Sequence, residues 1–198
     1  MAITSEMVKE LRECTGAGVL DCKKALEASG GDLDRATTIL REKGLAGAAR
    51  KATRAANQGL IEAYVHMGKV AGVVELNCET DFVARMPEFK ELAHDLAMQV
   101  VASRPQYVRA EEVPVEVLEK ERAIYRAQMA DQNKPAAVVD KIIEGKVQKF
   151  YQDVCLLNQV SIHDPSKSVQ QTIDEKIAKT GENIVLRRFV RMELGESE

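Results

Sequence analysis

The residues of this 198-residue sequence that could do chemistry fall into three sets and one turn. The first set is the cysteines Cys14, Cys22, Cys78 and Cys155, which are far apart and form no Cys-x-x-Cys pair. That spacing indicates neither a zinc site nor a dense disulfide frame, and it suits a reducing cytosol. Cys14 and Cys22 could form a redox pair, but nothing near them in sequence lowers a thiol pKa, and buried free cysteine is common. His66, His94 and His163 sit in separate elements with no His-x-x-x-His spacing, so an ordinary packing or surface role is the simpler reading. Gly16-Ala17-Gly18-Val19-Leu20-Asp21-Cys22-Lys23 resembles a phosphate loop only superficially. A phosphate loop needs G-x-x-x-x-G-K-[ST] after a strand, whereas here a helical pattern precedes the glycines and Lys24 follows Lys23; a helix-to-helix turn explains them.

The turn is Glu75-Leu76-Asn77-Cys78-Glu79-Thr80-Asp81-Phe82-Val83-Ala84-Arg85, where a strand pattern runs into polar residues carrying one aromatic side chain ahead of Pro87. The residues alone leave two roles open for Phe82: inward packing, or an exposed apolar anchor for a partner.

These residues need a scaffold, and composition bounds what it can be. Apolar residues make up 45% and charged residues 30%, the balance of a folded globular chain. Aromatics are only 4% with no Trp, so the core must rest on Leu, Ile, Val, Ala and Met, which predicts a helix-rich α+β fold. A net charge of -3 argues against bulk electrostatic capture of nucleic acid and for a protein partner. Met1-Ala2-Ile3-Thr4-Ser5-Glu6 has no basic, apolar export pattern, and no apolar run approaches membrane-spanning length. The expectation is a cytoplasmic protein that neither enters nor crosses a membrane.

Along the chain, Thr4 or Ser5 caps a first helix carrying Met7, Val8 and Leu11, ending at Thr15-Gly16. A second carries Val19, Cys22, Ala25 and Leu26 and stops at Gly30-Gly31. Asp32 caps a third, with Leu33, Ala36, Ile39 and Leu40 on one face, which Lys43-Gly44 is expected to close. Residues 1–44 therefore read as a three-helix bundle near the lower size limit for a self-supporting core, and residues 45–58 as a basic, Ala-rich, partly helical linker. In residues 59–198, period-two patterning on either side of Met67-Gly68-Lys69 predicts a hairpin. Pro87, Pro114 and Pro135 are placed to open helices, another is expected near Val169 to Ala178, and a final strand alternates Ile184, Leu186, Arg188, Val190, Met192 and Leu194 with polar residues. If that strand returns to the hairpin, the result is a three-stranded antiparallel sheet with helices packed on one face.

Two long stretches, Leu11 to Leu26 and Glu75 to Arg85, resemble the signatures of the elongation factor Ts family in order and spacing. The Ala-rich linker and Gly145-Lys146-Val147-Gln148-Lys149-Phe150 also resemble it, so the likeness covers nearly the whole chain. It implies a first module of the ubiquitin-associated type that docks on the nucleotide domain of elongation factor Tu through positions matching Arg12, Val19 and Leu20. Val19 and Leu20 stand where the family often has methionines, a departure that implies a reshaped contact. It further implies that Thr80, Asp81, Phe82 and Val83 form a tip that wedges beside the magnesium site of elongation factor Tu and releases GDP. Such a factor needs no general base, nucleophile, cofactor or metal of its own, and is not an enzyme.

Many members of the family carry two similar core subdomains with an inserted coiled coil. Here only one core unit is present, as in the short form of the family, which implies that residues 59–198 supply both the contact with elongation factor Tu and a homodimer interface. Two other readings compete: a ubiquitin-associated-like binding module indifferent to Asp81 and Phe82, and a thiol enzyme dependent on one of the cysteines. Neither accounts for Thr80-Asp81-Phe82.

Overall fold

A computed structural model describes residues 3–129 and 135–196. Met1 and Ala2, where the reading for an export signal begins, lie outside the described residues.

The first three helices follow their caps. In α1 (Ser5–Thr15) the Thr4 hydroxyl accepts from the Met7 N–H at 3.3 Å, and in α3 (Leu33–Lys51) the Asp32 carboxylate accepts from the Arg35 N–H at 2.9 Å. Between them, α2 (Val19–Ser29) is joined to α1 by the short Gly16-Ala17-Gly18 turn. Leu11, Cys22, Ala25, Leu26 and Ala36 form one buried cluster, with Met7, Val8, Leu33, Ile39 and Leu40 packed against it. The helical periodicity of the sequence and the packed face of the bundle thus coincide.

One boundary shifts: α3 does not stop at Lys43-Gly44 but continues to Lys51, through the first half of the stretch read as a partly helical linker. Gly44 and Gly47 disfavour helix, and tertiary contact offsets them: Ala48 is buried and Lys51 reaches the Ile177 carbonyl. Gly44 meets a different need, since a Cβ there would stand 3.4 Å from the Cβ of Ala178.

The strands are β1 (Gln58–His66), β2 (Val70–Cys78) and β3 (Ile184–Glu193), hydrogen-bonded in the order β1-β2-β3 into an antiparallel sheet. Between β2 and β3 come the single turn α4 (Asp81–Ala84), then α5 (Pro87–Ser103), α6 (Val115–Met129), α7 (Ala136–Val154) and α8 (Val169–Thr180). All three prolines singled out in the sequence stand at or just before a helix start, where a missing N–H costs nothing. The fold is mixed α+β, a helical bundle followed by a three-stranded sheet with helices.

The chain divides into two compact units, residues 1–60, 76–92 and 171–185, and residues 61–75, 93–170 and 186–198. In the first, the bundle core is joined by a second set of buried side chains that includes Leu76, Val83, Phe89, Leu92, Ile173 and Ile184. In the second, α5 lies so close to β2 that a Cβ on Gly72 would stand 2.5 Å from the Ala97 carbonyl oxygen. Gln99, itself buried, ties α5 to the loop after α7 by donating to the Val160 carbonyl at 3.1 Å and accepting from the Ile162 N–H at 2.9 Å. Lys146 of α7 donates to Gln128 of α6 at 2.6 Å and lies over the Tyr125 ring, pinning those two helices side by side.

The last strand departs from its expected register. Ile184 and Leu186 are buried, but Arg187 and Arg188 are both exposed, and from there the exposed positions are Arg188, Val190, Met192 and Leu194. Burial therefore slips by one residue at Arg187-Arg188, the signature of a bulge, and the apolar half of the alternation is turned outward. Arg191 lies on the other side, its guanidinium largely buried and paired with Glu193 and Glu196.

Candidate functional site

The site grows from the end of β2. Cys78 is the last strand residue, and its thiol donates to the Thr80 carbonyl at 3.1 Å. Thr80 is extended and caps α4, its hydroxyl accepting from the Val83 N–H at 3.3 Å. Asp81 occupies the first turn, where a carboxylate suits the helix N-terminus, and pairs with Arg85 at 2.7 Å. Phe82 is 75% exposed, which resolves its role against inward packing. Val83 faces the opposite way and is only 4% exposed, so of the four tip residues named in the sequence it is the one that packs inward and roots the turn. Phe82 thus stands out into solvent from a single helical turn, an arrangement open to a partner.

A frame of carboxylates and amides fixes the base of the tip. One oxygen of Glu182 accepts from the N–H groups of Glu79 at 3.1 Å and Thr80 at 3.0 Å, and the other accepts from the Thr80 hydroxyl at 2.7 Å. In return Glu79 accepts from the Asn183 N–H at 2.6 Å and lies 3.5 Å from a guanidinium nitrogen of Arg54. Asn183 is buried and donates its side-chain amide to the Arg54 carbonyl at 2.8 Å. Glu182 and Asn183 went unnoticed in the sequence, and Glu79 figured there only as part of the turn. Gly181-Glu182-Asn183 carries no motif beyond a polar connection between helix and strand.

The other predicted residues lie on the helical bundle in the same unit. Arg12 is exposed in the last turn of α1, and Val19 and Leu20 are exposed at the start of α2. The turn between them is braced from below, for Lys179 of α8 passes 3.7 Å from the position of a Gly16 Cβ and binds Glu88 at 3.2 Å. Lys51 at the end of α3 donates to the Ile177 carbonyl at 3.3 Å. Glu88 is held below the usual carboxylate range by its own backbone N–H and by the Lys179 ammonium.

All four cysteines are free thiols; Cys22, Cys78 and Cys155 are buried, and burial pushes the thiols of Cys78 and Cys155 up to about 11. No group of His, Cys, Asp and Glu side chains among the described residues is arranged to hold a metal ion. His94 instead lies 3.0 Å from Glu62, and His163 3.2 Å from Asp95. Among the described residues no helix is long and apolar enough to cross a membrane.

Known proteins resemble this sequence along its whole length. The sequence model of the family described as Elongation factor TS matches residues 32–196. The chain is 56% identical to Elongation factor Ts of Thermodesulfovibrio yellowstonii over 198 residues, covering 100% of this chain and 99% of that one. It is 60% identical to Elongation factor Ts of Carboxydothermus hydrogenoformans over 195 residues, covering 98% and 90%. With Elongation factor Ts of Thermotoga neapolitana the identity is 57% over 197 residues, covering 99% of each. With this likeness along its whole length, the chain belongs to the elongation factor Ts family.

Proposed function

We propose that this protein is a guanine nucleotide exchange factor, not an enzyme, that binds elongation factor Tu carrying GDP and promotes GDP release so that GTP can enter. It acts in the cytoplasm, with no cofactor of its own and no direct contact with nucleic acid. The observation that carries the reading is Phe82, 75% exposed at the apex of a turn whose base is tied down by three hydrogen bonds to Glu182. A rigid apolar wedge of this kind can displace the elements that position a nucleotide-bound Mg²⁺, whose oxygen ligands tolerate little movement. In this reading Phe82 is the apolar anchor, Asp81 and Thr80 its polar neighbours and Val83 its buried root, while Arg12, Val19 and Leu20 dock the bundle, residues 1–44, on the nucleotide domain.

Exchange then needs only linkage. A factor that weakens GDP about a hundredfold is itself weakened about a hundredfold by GDP, a coupling of about 2.7 kcal/mol. GTP in excess refills the site and expels the factor.

The protein works as a homodimer through residues 59–198. Support comes from the sheet face that carries Ile61, Val65, Val190 and Met192, all exposed large apolar side chains.

The test is release of a fluorescent GDP analogue from elongation factor Tu. Wild-type protein accelerates release and an Asp81→Ala, Phe82→Ala double variant largely does not. A wild-type protein without effect on release would sink the exchange reading and leave a binding module in its place.

A further inference from the structure

We propose that Glu182 is a positioning residue for nucleotide exchange: its carboxylate holds the Thr80–Phe82 tip in the shape that enters the partner. The inference rests on the exchange reading and adds to it a residue outside the tip. β2 ends at Cys78 and β3 begins at Ile184, so backbone pairing stops just short of the tip. Beyond that point side chains take over the rungs. Glu182 accepts the N–H groups of Glu79 and Thr80, and Glu79 accepts the N–H of Asn183, so each segment offers a carboxylate to the other's backbone. Hydrogen bonds to an ionised acceptor are among the stronger ones available to a protein.

The tip needs outside support. α4 has four residues, far below the length at which a helix holds itself together. Phe82 is exposed and brings no packing of its own, and the Asp81–Arg85 pair lies within the turn and cannot orient it. What fixes the direction of Phe82 is the buried Val83 on one side and Glu182 on the other. Thr80 links the two, since its hydroxyl donates to Glu182 while accepting from the Val83 N–H. Without Glu182 the turn still carries Phe82 but samples many orientations, and the fraction of docked molecules able to insert it falls.

Docking through the bundle does not involve Glu182, so its loss changes the rate within the docked complex more than the concentration needed to form it. The experiment measures GDP-analogue release across a range of factor concentrations for wild type, Glu182→Ala, Glu182→Gln and Glu182→Asp, with melting curves for each. Glu182→Ala lowers the maximal release rate about tenfold or more, with the half-saturating concentration changed less than about threefold. Glu182→Gln, which keeps an acceptor for the two N–H groups and the shape of the side chain but loses the charge and the second acceptor oxygen, gives a maximal rate between those of Glu182→Ala and wild type. A folded Glu182→Ala protein with the wild-type maximal rate overturns the proposal, as does a loss confined to half-saturation or a Gln variant no better than Ala. Should Glu182→Ala fail to fold, Glu182→Asp, one methylene too short to reach all three donors, is read in the same way: a lowered maximal rate supports the proposal and a wild-type rate overturns it. An inert wild type is a different result, a failure of the exchange reading itself.

Discussion

Arg188 and Glu75 meet on the exposed side of the sheet, the guanidinium Nε 2.7 Å from a carboxylate oxygen. Glu75 belongs to the face of β2 opposite Val74 and Leu76, so the pair marks the side to which Arg188 has been turned. Every second residue after Arg188 follows it outward, which places Val190 and Met192 in solvent. An exposed apolar face on an edge strand invites association.

If that face is the homodimer interface, a charge within it breaks the dimer. Val190→Asp combined with Met192→Glu should halve the mass measured by size-exclusion chromatography with light scattering while leaving the melting temperature of the monomer close to its starting value. An unchanged dimer would place the interface elsewhere, and a monomeric wild type at working concentrations would remove the dimer altogether.

Two glycines make a matched pair for stability. A Cβ on Gly59, whose φ is +144°, would collide with the carbonyl oxygen of Leu76, so Gly59→Ala should cost about 3 kcal/mol or more, seen as a fall in the thermal midpoint. Gly145 lies within α7 with no atom near its Cβ position, and Gly145→Ala should raise stability by about 0.5–1 kcal/mol. Equal effects from the two would mean that crowding at Gly59 is not what selects its residue type.

Thiol accessibility separates one cysteine from the others. Cys14 is exposed, whereas Cys22, Cys78 and Cys155 are buried. A thiol reagent at neutral pH should modify Cys14 promptly and the remaining three only as fast as the protein opens. Exchange should survive modification of Cys14; its loss would revive the thiol-dependent reading.

Alkaline pH should destabilise the fold through Cys78 and Cys155. Their thiols ionise near 9 when unfolded and at about 11 when folded, in each case chiefly because burial disfavours the thiolate. Between those values the unfolded chain has lost protons that the native one keeps, so stability falls as pH rises through this window. The thermal midpoint measured from pH 8 to 11 should drop, and Cys78→Ala should flatten part of the slope. A slope unaltered in that variant would assign the loss to other groups.

Much of this protein was legible from local chemistry. Thr4 and Asp32 announced helix starts because a short polar side chain at a cap satisfies an N–H that nothing else can reach. The hairpin showed in its alternation, and Asp81 and Phe82 showed in a motif. What escaped was set by tertiary contact. Gly44 looks like a helix stop, yet it answers to Ala178 on another helix. The outward turn of Val190 depends on a one-residue slip at Arg187-Arg188 that strict alternation does not encode. Glu182 escaped for the plainest reason: its partner Thr80 is 102 residues away, with no periodicity to connect them.

That same separation gives the protein a birth order. During synthesis Thr80 is in place 102 residues before the carboxylate that clasps it, with Asp81 and Phe82 directly behind it. At about 5–20 residues per second the wait lasts about 5–20 s, long compared with the formation of the helices already made. A nascent chain therefore carries the tip in a slack form and acquires a stiff one only as its last strand arrives. A chain interrupted in that interval would display Phe82 without the means to aim it.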